Sequence, residues 1–331
     1  MKFTYILFIL LLISIGSNAQ NLHLNYEIDS LIISNKQVPF NGTILIAKGN
    51  HIIYEKYIGY ADLINKDTLN ADNTFIIGSI SKQITAVLIL QEIEKSKLGL
   101  NDPISKYIPD LPKSWRDSVT VHHLLTHTHG ILETNKNLEF TPGSQFSYSQ
   151  IGYDLLAKIL EKINNKSFAD ISAGLFKRCN IYNTSHPYLH KDNSLVNCYN
   201  IDHQNNITKP EKYEIPVAAG GFISNARDLL TWNKKIFGGE LLGNETYKKM
   251  ISKHANAVRN HPIFGLTYYG YGITVDDTDE LIQLGQTGYL PSYISMNFYF
   301  PQHKTSVIVL QNTSRGNNLK EKFFYHTHVL D

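Results

Sequence analysis

The first strong pattern along the chain is an almost unbroken apolar run from Tyr5 to Ile15, with Lys2 before it and Ser17-Asn18-Ala19 after it. One positive residue, a short apolar stretch and small residues three and one positions before Gln20 make the pattern of a cleavable secretory signal over residues 1–19. The run is shorter than the roughly 20 residues a membrane-spanning helix needs. No cysteine follows it to carry a lipid. The mature chain is therefore expected to begin at Gln20, to be periplasmic or secreted, and to hold no stable membrane span. No later segment is apolar enough to cross a bilayer.

Two strands are predicted next. Thr43-Ile44-Leu45-Ile46-Ala47 is a buried apolar run, Gly49-Asn50 supplies a turn, and His51 to Lys56 returns with β-favouring residues. After a short strand over Phe75–Ile77 the period changes. From Ser79 onward, Ile84, Val87, Leu88, Leu90, Ile93 and Leu98 recur at helical spacing over so wide a surface that the helix is expected to be buried on most sides. Asn101-Asp102-Pro103 caps the following segment, and Pro109 and Pro112 break it. Val121–Thr126 and Tyr153–Ile163 read as further helices. The strand pattern returns over Tyr271–Val275, Leu281–Gln286, Tyr293–Phe300 and Thr305–Leu310, and Leu319–Val329 reads as a closing helix. This order predicts an α/β (α+β) domain over 20–331. Residues 20–77 and 210–331 would form a sheet-bearing lobe, 78–209 a mainly helical lobe inserted between, and the active site would lie where they meet.

Composition narrows the function. The 331 residues carry a formal net charge of +2, with Lys and Arg scattered, so nucleic acid and anionic membranes are poor partners. The 20 tyrosines suit a packed globular chain. Cys179 and Cys198 are the two cysteines. In an oxidising compartment they either pair or stay as separate thiols, and sequence supplies no geometry to decide.

Three constellations carry chemistry. In Gly78-Ser79-Ile80-Ser81-Lys82 the i, i+3 spacing lets the Lys82 amine reach the Ser79 hydroxyl. A serine hydroxyl needs such a base to act as a nucleophile, and burial lets an amine serve by depressing its pKa so that it can be unprotonated. A backbone N–H at a helix start can stabilise an oxyanion. Ser-x-x-Lys alone is a weak signal; its place at the head of the most apolar helix strengthens it. In Phe146-Ser147-Tyr148-Ser149-Gln150 a tyrosine beside a Ser/Lys pair can shuttle a proton. In Gly285-Gln286-Thr287-Gly288-Tyr289, glycine at the end of a strand lets a substrate backbone come close.

These three motifs, in this order, resemble those of the serine β-lactamase and penicillin-binding superfamily. The likeness is strongest to its branch of class C β-lactamases, D-alanyl-D-alanine carboxypeptidases, D-aminopeptidases and related esterases. Further collinear likenesses are Leu100 to Pro109, His123-Leu124-Leu125-Thr126-His127-Thr128-His129-Gly130, and Gly220 to Leu229. The resemblance implies an antiparallel sheet flanked by helices. It implies that Ser79 is the acylated nucleophile, Lys82 its activating partner and Tyr148 the proton relay. It places Gln150, Gln286, Thr287, Gly288 and Tyr289 around the substrate, with the Ser79 and Tyr289 N–H groups as the oxyanion hole. No cofactor or metal is implied. The partner is a small-molecule or peptide substrate, peptidoglycan-derived fragments included.

Some positions depart from the family pattern. Gln150 stands where Asn is usual, keeping the amide on a longer arm toward Lys82 or substrate. Gln286 stands where Lys or His is usual. A neutral amide there loses about 1–3 kcal/mol of charge-assisted bonding to a substrate carboxylate, which favours esters, amides or D-peptides over β-lactams. Ser292 replaces a common Gly. A slowly acylating or non-catalytic penicillin-binding sensor is the alternative these departures motivate. A zinc hydrolase built on His122, His123, His127 and His129 is a third reading, but the cluster holds no carboxylate. Lys304-Thr305-Ser306 imitates the third motif without its glycine and reads as a decoy. Tyr268, Tyr269 and Tyr271 either line the cleft or pack the sheet.

Overall fold

A computed structural model describes residues 23–33, 39–211, 214, 216–277, 280–316 and 318–330. The secretory-signal segment lies outside the described residues. Helix α1 (23–33) comes first. Strands β1 (Gly42–Lys48) and β2 (His51–Ile58) follow. After a 3-10 turn at Gly78–Ile80 come α2 (Ser81–Glu94), α3 (Val121–Leu125), α4 (Ile151–Asn164) and α5 (Phe168–Arg178). A π-type turn at Val217–Gly221 leads to α6 (Ala226–Phe237) and α7 (Asn244–Met250). The remaining sheet strands are β3 (Val258–His261), β4 (Gly265–Tyr269), β5 (Thr274–Asp276), β6 (Gln283–Leu290), β7 (Tyr293–Phe300) and β8 (Thr305–Gln311). Two short helices close the chain, α8 (Leu319–Lys322) and α9 (Phe324–His328).

The main sheet runs β2-β1-β8-β7-β6-β5-β4-β3 with every pairing antiparallel, so the two ends of the chain build it together. Strand β1 shows why its sequence is apolar at successive positions. Leu45 and Ala47 join the large core under α2, α4 and α6, while Ile44 and Ile46 join a second core with Met296, Phe298, Val309 and Tyr325. A strand covered on both faces has no polar side to show. Helix α2 is covered likewise, with Ser81 through Leu90 all buried.

Several boundaries differ from the sequence reading. Ser79 sits in the 3-10 turn, and the α-helix opens two residues later at Ser81. Tyr271 does not begin a strand: its N–H is taken by the Met250 carbonyl at 2.9 Å, and Gly270–Ile273 turns under α2 with Gly272 at φ +71°. The closing helix breaks in two at Phe323. Strands β3 and β4 were not expected from the sequence; β3, Val258-Arg259-Asn260-His261, is polar at three successive positions. Cys179 and Cys198 are free thiols, the first buried and the second half-buried. No helix among the described residues is long and apolar enough to cross a membrane.

Candidate active site

The site begins where α2 docks on the π-type turn. Ser81 Oγ accepts the Phe222 N–H at 3.2 Å, Thr85 Oγ1 donates to the Ala218 carbonyl at 2.7 Å, and Lys82 Nζ donates to the Ala219 carbonyl at 2.7 Å. These contacts pin the first turns of the helix and aim the amine. Lys82 is 0% exposed, and its Nζ also donates to Ser79 Oγ at 3.2 Å. Ser79 itself is half-exposed, so the hydroxyl meets solvent while its partner is sealed behind it. Burial pushes the Lys82 ammonium below its ordinary value, with Arg259 acting in the same direction and Tyr148 and Asp154 opposing.

Tyr148 completes the group. Its ring centroid lies 4.7 Å from Lys82 Nζ, and its phenol is close enough to Ser79 and Lys82 for both to act on its pKa. Burial alone would raise its pKa. The charges of Lys82 and Arg259, with the polar groups of Ser79 and Lys82 beside the phenol, outweigh burial and bring it below the ordinary phenol value. The loop is held by His127, which adopts φ +59°. Its carbonyl accepts the Ser147 N–H at 2.9 Å and its Nδ1 accepts the Ser149 N–H at 3.2 Å, so the residues on either side of Tyr148 are both fixed. The His127 ring lies 4.5 Å from the Tyr148 ring, and burial pushes its imidazole well below the usual value, leaving it neutral.

The third wall is β6. Gly78 has φ +54°, and a Cβ built on it would lie 2.7 Å from the Gly288 Cα and 3.0 Å from the Tyr289 nitrogen. A Cβ on Gly288 would lie 2.3 Å from the Ile77 carbonyl oxygen. Two glycines therefore let the backbone of Ser79 and the backbone of Tyr289 approach each other. Ser295 Oγ ties the Ile77 carbonyl to the sheet at 2.8 Å.

A profile of the family described as Beta-lactamase matches residues 40–327. The chain belongs to this family. Membership supports a serine hydrolase. Among related sequences, "Penicillin-binding protein 4*" of Bacillus subtilis (strain 168) is 26% identical over 325 residues, which covers 85% of this chain and 70% of the relative. A penicillin binding protein from Bacillus halodurans shares the fold with a TM-score of 0.78 at 23% identity, covering 92% of this chain and 98% of that one. The D-amino acid amidase from Ochrobactrum anthropi SV3, solved with L-phenylalanine amide, matches at a TM-score of 0.78 and 19% identity, covering 93% and 95%.

Against the family pattern, the two glutamines sit differently from the sequence expectation. Gln150 is the exposed N-cap residue of α4, and Lys82 is anchored by the Ala219 carbonyl instead. Gln286 is 0% exposed. Its Nε2 donates to the Tyr269 hydroxyl at 3.0 Å and its Oε1 accepts from Thr274 Oγ1 at 3.3 Å. Both ends of that amide are occupied inside the protein, so its neutrality does not decide how a substrate carboxylate is met. Tyr269 is the buried support behind the site, 4.8 Å from the His127 ring and 6.1 Å from the Tyr148 ring. Of the other β6 residues, Thr287 faces His261 at 3.1 Å, while the Tyr289 side chain turns outward to receive a hydrogen bond from Lys322 at 2.8 Å. Ser292 holds φ +71°, a left-handed backbone that favours glycine, and donates to Asn200 at 2.8 Å.

The histidines have structural partners. His123 Nδ1 accepts the Thr120 N–H in a capping box, His129 Nδ1 accepts the Ile131 N–H, and His122 Nδ1 meets the Tyr271 hydroxyl. Two groups that sequence reasoning missed stand near the reactive trio. Arg259 places its guanidinium carbon 4.2 Å from the Tyr148 ring centroid. Asp154, on the first turn of α4, has its carboxyl pushed up to about 6 by burial, against the pull of Lys82 and Lys158.

Asp154 yields a pH prediction. A carboxyl whose folded-state pKa exceeds its ordinary 3.8 contributes stability only while protonated; that contribution is full below the ordinary value and is lost as pH rises through about 6. Asp154→Asn is therefore expected to stabilise the protein above pH 7 by about 1–2 kcal/mol once solvent screening of a half-buried group is allowed for. The gain should vanish near pH 4. Denaturant unfolding of both proteins at the two pH values measures it, and an equal difference at both would contradict the assignment.

Proposed function

We propose that this protein is an exported serine hydrolase that cleaves an amide or ester through an acyl-enzyme on Ser79. The observation that carries the reading is the Lys82 amine, sealed from solvent, tethered to the Ala219 carbonyl and donating to Ser79 Oγ at 3.2 Å. In the proposed cycle the Ser79 proton passes to the Tyr148–Lys82 pair as Oγ attacks the carbonyl carbon. The Ser79 and Tyr289 N–H groups receive the oxyanion at the Gly78–Gly288 contact. The proton then passes from the pair to the leaving nitrogen or oxygen, and water, deprotonated by the same pair, releases the acid. Burial and Arg259 lower Lys82 while Lys82 and Arg259 lower Tyr148, so both members of the pair are shifted toward giving up a proton.

Export rests on the pattern of residues 1–19. The substrate range rests on the family and on the open Ser79 side of the site, with β-lactams, D-amino-acid peptides and carboxylic esters as the chemical class. The test is a panel of a nitrophenyl ester, D-phenylalanine amide, a D-alanyl-D-alanine peptide and a chromogenic cephalosporin. Wild type is expected to turn over at least one, and Ser79→Ala none. A Ser79→Ala protein as fast as wild type, or a wild type silent on all four, would overturn the reading.

A further inference from the structure

A cavity of about 510 Å³ shares no lining residue with the reactive trio. Its volume lies within the usual range of about 300–1,000 Å³ for small-molecule sites. Trp115 forms a buried floor, and its Nε1 donates to the Lys136 carbonyl at 2.9 Å, which ties the 131–142 strap across it. The strap is held at its ends as well. The Glu139 N–H donates to the Gly130 carbonyl at 2.8 Å and the Gly143 N–H to the Thr128 carbonyl at 2.7 Å. Gly130 has φ +73°, and a Cβ there would lie 2.5 Å from the Phe140 carbonyl oxygen, so glycine is what lets the strap close. A ligand thus meets a surface that is already formed, and little ordering cost remains.

The lining says which ligand fits. None of the residues around the cavity carries a charge. Glu133 and Lys136, on the strap, pair with each other and do not line it. Leu138, Phe140 and Pro142 are half-buried and extend the apolar surface of Trp115, while Ser114, Asn137 and Thr141 are exposed. A phosphate or carboxylate would find no cation here. An alkyl chain would cover the hydroxyls and the amide without giving them partners. Both surfaces are matched by a small neutral molecule with C–H bonds on one side and several hydroxyls around its edge. That is the make-up of a pyranose ring. The Ser114 and Thr141 hydroxyls and the Asn137 amide can each donate and accept, so a ring hydroxyl is met in either sense.

We infer that this cavity is a binding site for a neutral saccharide, held by Ser114, Asn137 and Thr141 over the Trp115–Phe140 surface. The strap continues through Gly143 to Tyr148. Occupancy of the cavity nevertheless stands apart from the Ser79 acyl-enzyme reading.

The experiment titrates the full chain with maltotriose, cellotriose and triacetylchitotriose, and with hexanoate and inorganic phosphate as the competing chemistries. Calorimetry gives the affinity and tryptophan fluorescence the place. Of the two tryptophans, Trp115 lines the cavity, and Trp232 is buried elsewhere with its Nε1 on Gln83. Wild type is expected to bind at least one sugar saturably at millimolar concentration, with a change in emission. Asn137→Ala combined with Thr141→Ala is expected to weaken that affinity about tenfold or more, since two neutral hydrogen bonds are lost. Both positions are exposed, so the melting temperature should hold. Ser114→Ala repeats the test outside the strap, with an expected loss of about three- to tenfold. Undiminished sugar affinity in these variants would overturn the proposal. So would the absence of saturable sugar binding, or a preference for hexanoate or phosphate. Ser79→Ala should bind the sugar as wild type does. Binding lost there would put the sugar in the catalytic cleft, ending this proposal while leaving the acyl-enzyme reading in place.

Discussion

Lys82→Met is expected to lower kcat/KM for a nitrophenyl ester by about a thousand- to ten-thousand-fold, the scale seen when one member of a coupled nucleophile–base group is removed. Methionine is close in shape to lysine and apolar, so it fits a position that is 0% exposed. It leaves the Ala219 carbonyl without the donor that now lies 2.7 Å away, which adds a stability loss of about 1–3 kcal/mol. Thermal melting separates that loss from the chemical one. Lys82→Arg should not rescue activity. A guanidinium is larger, stays charged, and cannot share a proton with Tyr148. Steady-state kinetics on the three proteins checks this, and a Lys82→Met enzyme within tenfold of wild type would remove lysine from the chemistry.

Tyr148→Phe is the second large effect, expected at about a hundred- to ten-thousand-fold in kcat/KM. The phenyl ring keeps the packing against His127, 4.5 Å away, so the loop should stay in place. The loss is then chemical, and the pH profile shows it. In wild type the Lys82–Tyr148 pair must shed one of its protons before it can accept another from Ser79. Activity should therefore rise with pH through the lowered pKa of the pair. In Tyr148→Phe that rising limb belongs to Lys82 alone and should move. A profile superimposable on wild type, at any rate, would show that Tyr148 takes no part in proton transfer.

How much of this could be read from the residues varies with the kind of interaction. The apolar run of β1 and the helical surface of α2 were legible because burial on several sides leaves few polar positions. The Ser79–Lys82 pair was legible because the two are one turn apart. The second anchor of Lys82 was not, since a backbone carbonyl at Ala219 leaves no mark in side-chain chemistry. The orientation of Gln286 was hidden for a related reason: its partners Tyr269 and Thr274 lie on neighbouring strands, and their pairing is fixed only when the sheet forms. Arg259 was missed because Val258-Arg259-Asn260-His261 is an edge strand with a polar sequence. Nothing local ties its guanidinium to a tyrosine on a distant loop. The i, i+4 spacing of His123 and His127 invites a metal reading, but the missing carboxylate favoured a structural role, and the left-handed backbone of His127 with its hold on Ser147 and Ser149 gives it a scaffolding task.

The most direct measurement is the site of covalent attachment. Acid-quenching the protein during turnover of an ester or amide, followed by intact-mass analysis and peptide mapping, reads it in one experiment. The result predicted is a single acyl group, carried by the peptide containing Ser79 and absent from Ser79→Ala. An acyl group on any other residue, or full turnover by Ser79→Ala, would contradict the hydroxyl–amine–phenol chemistry assigned to this cleft.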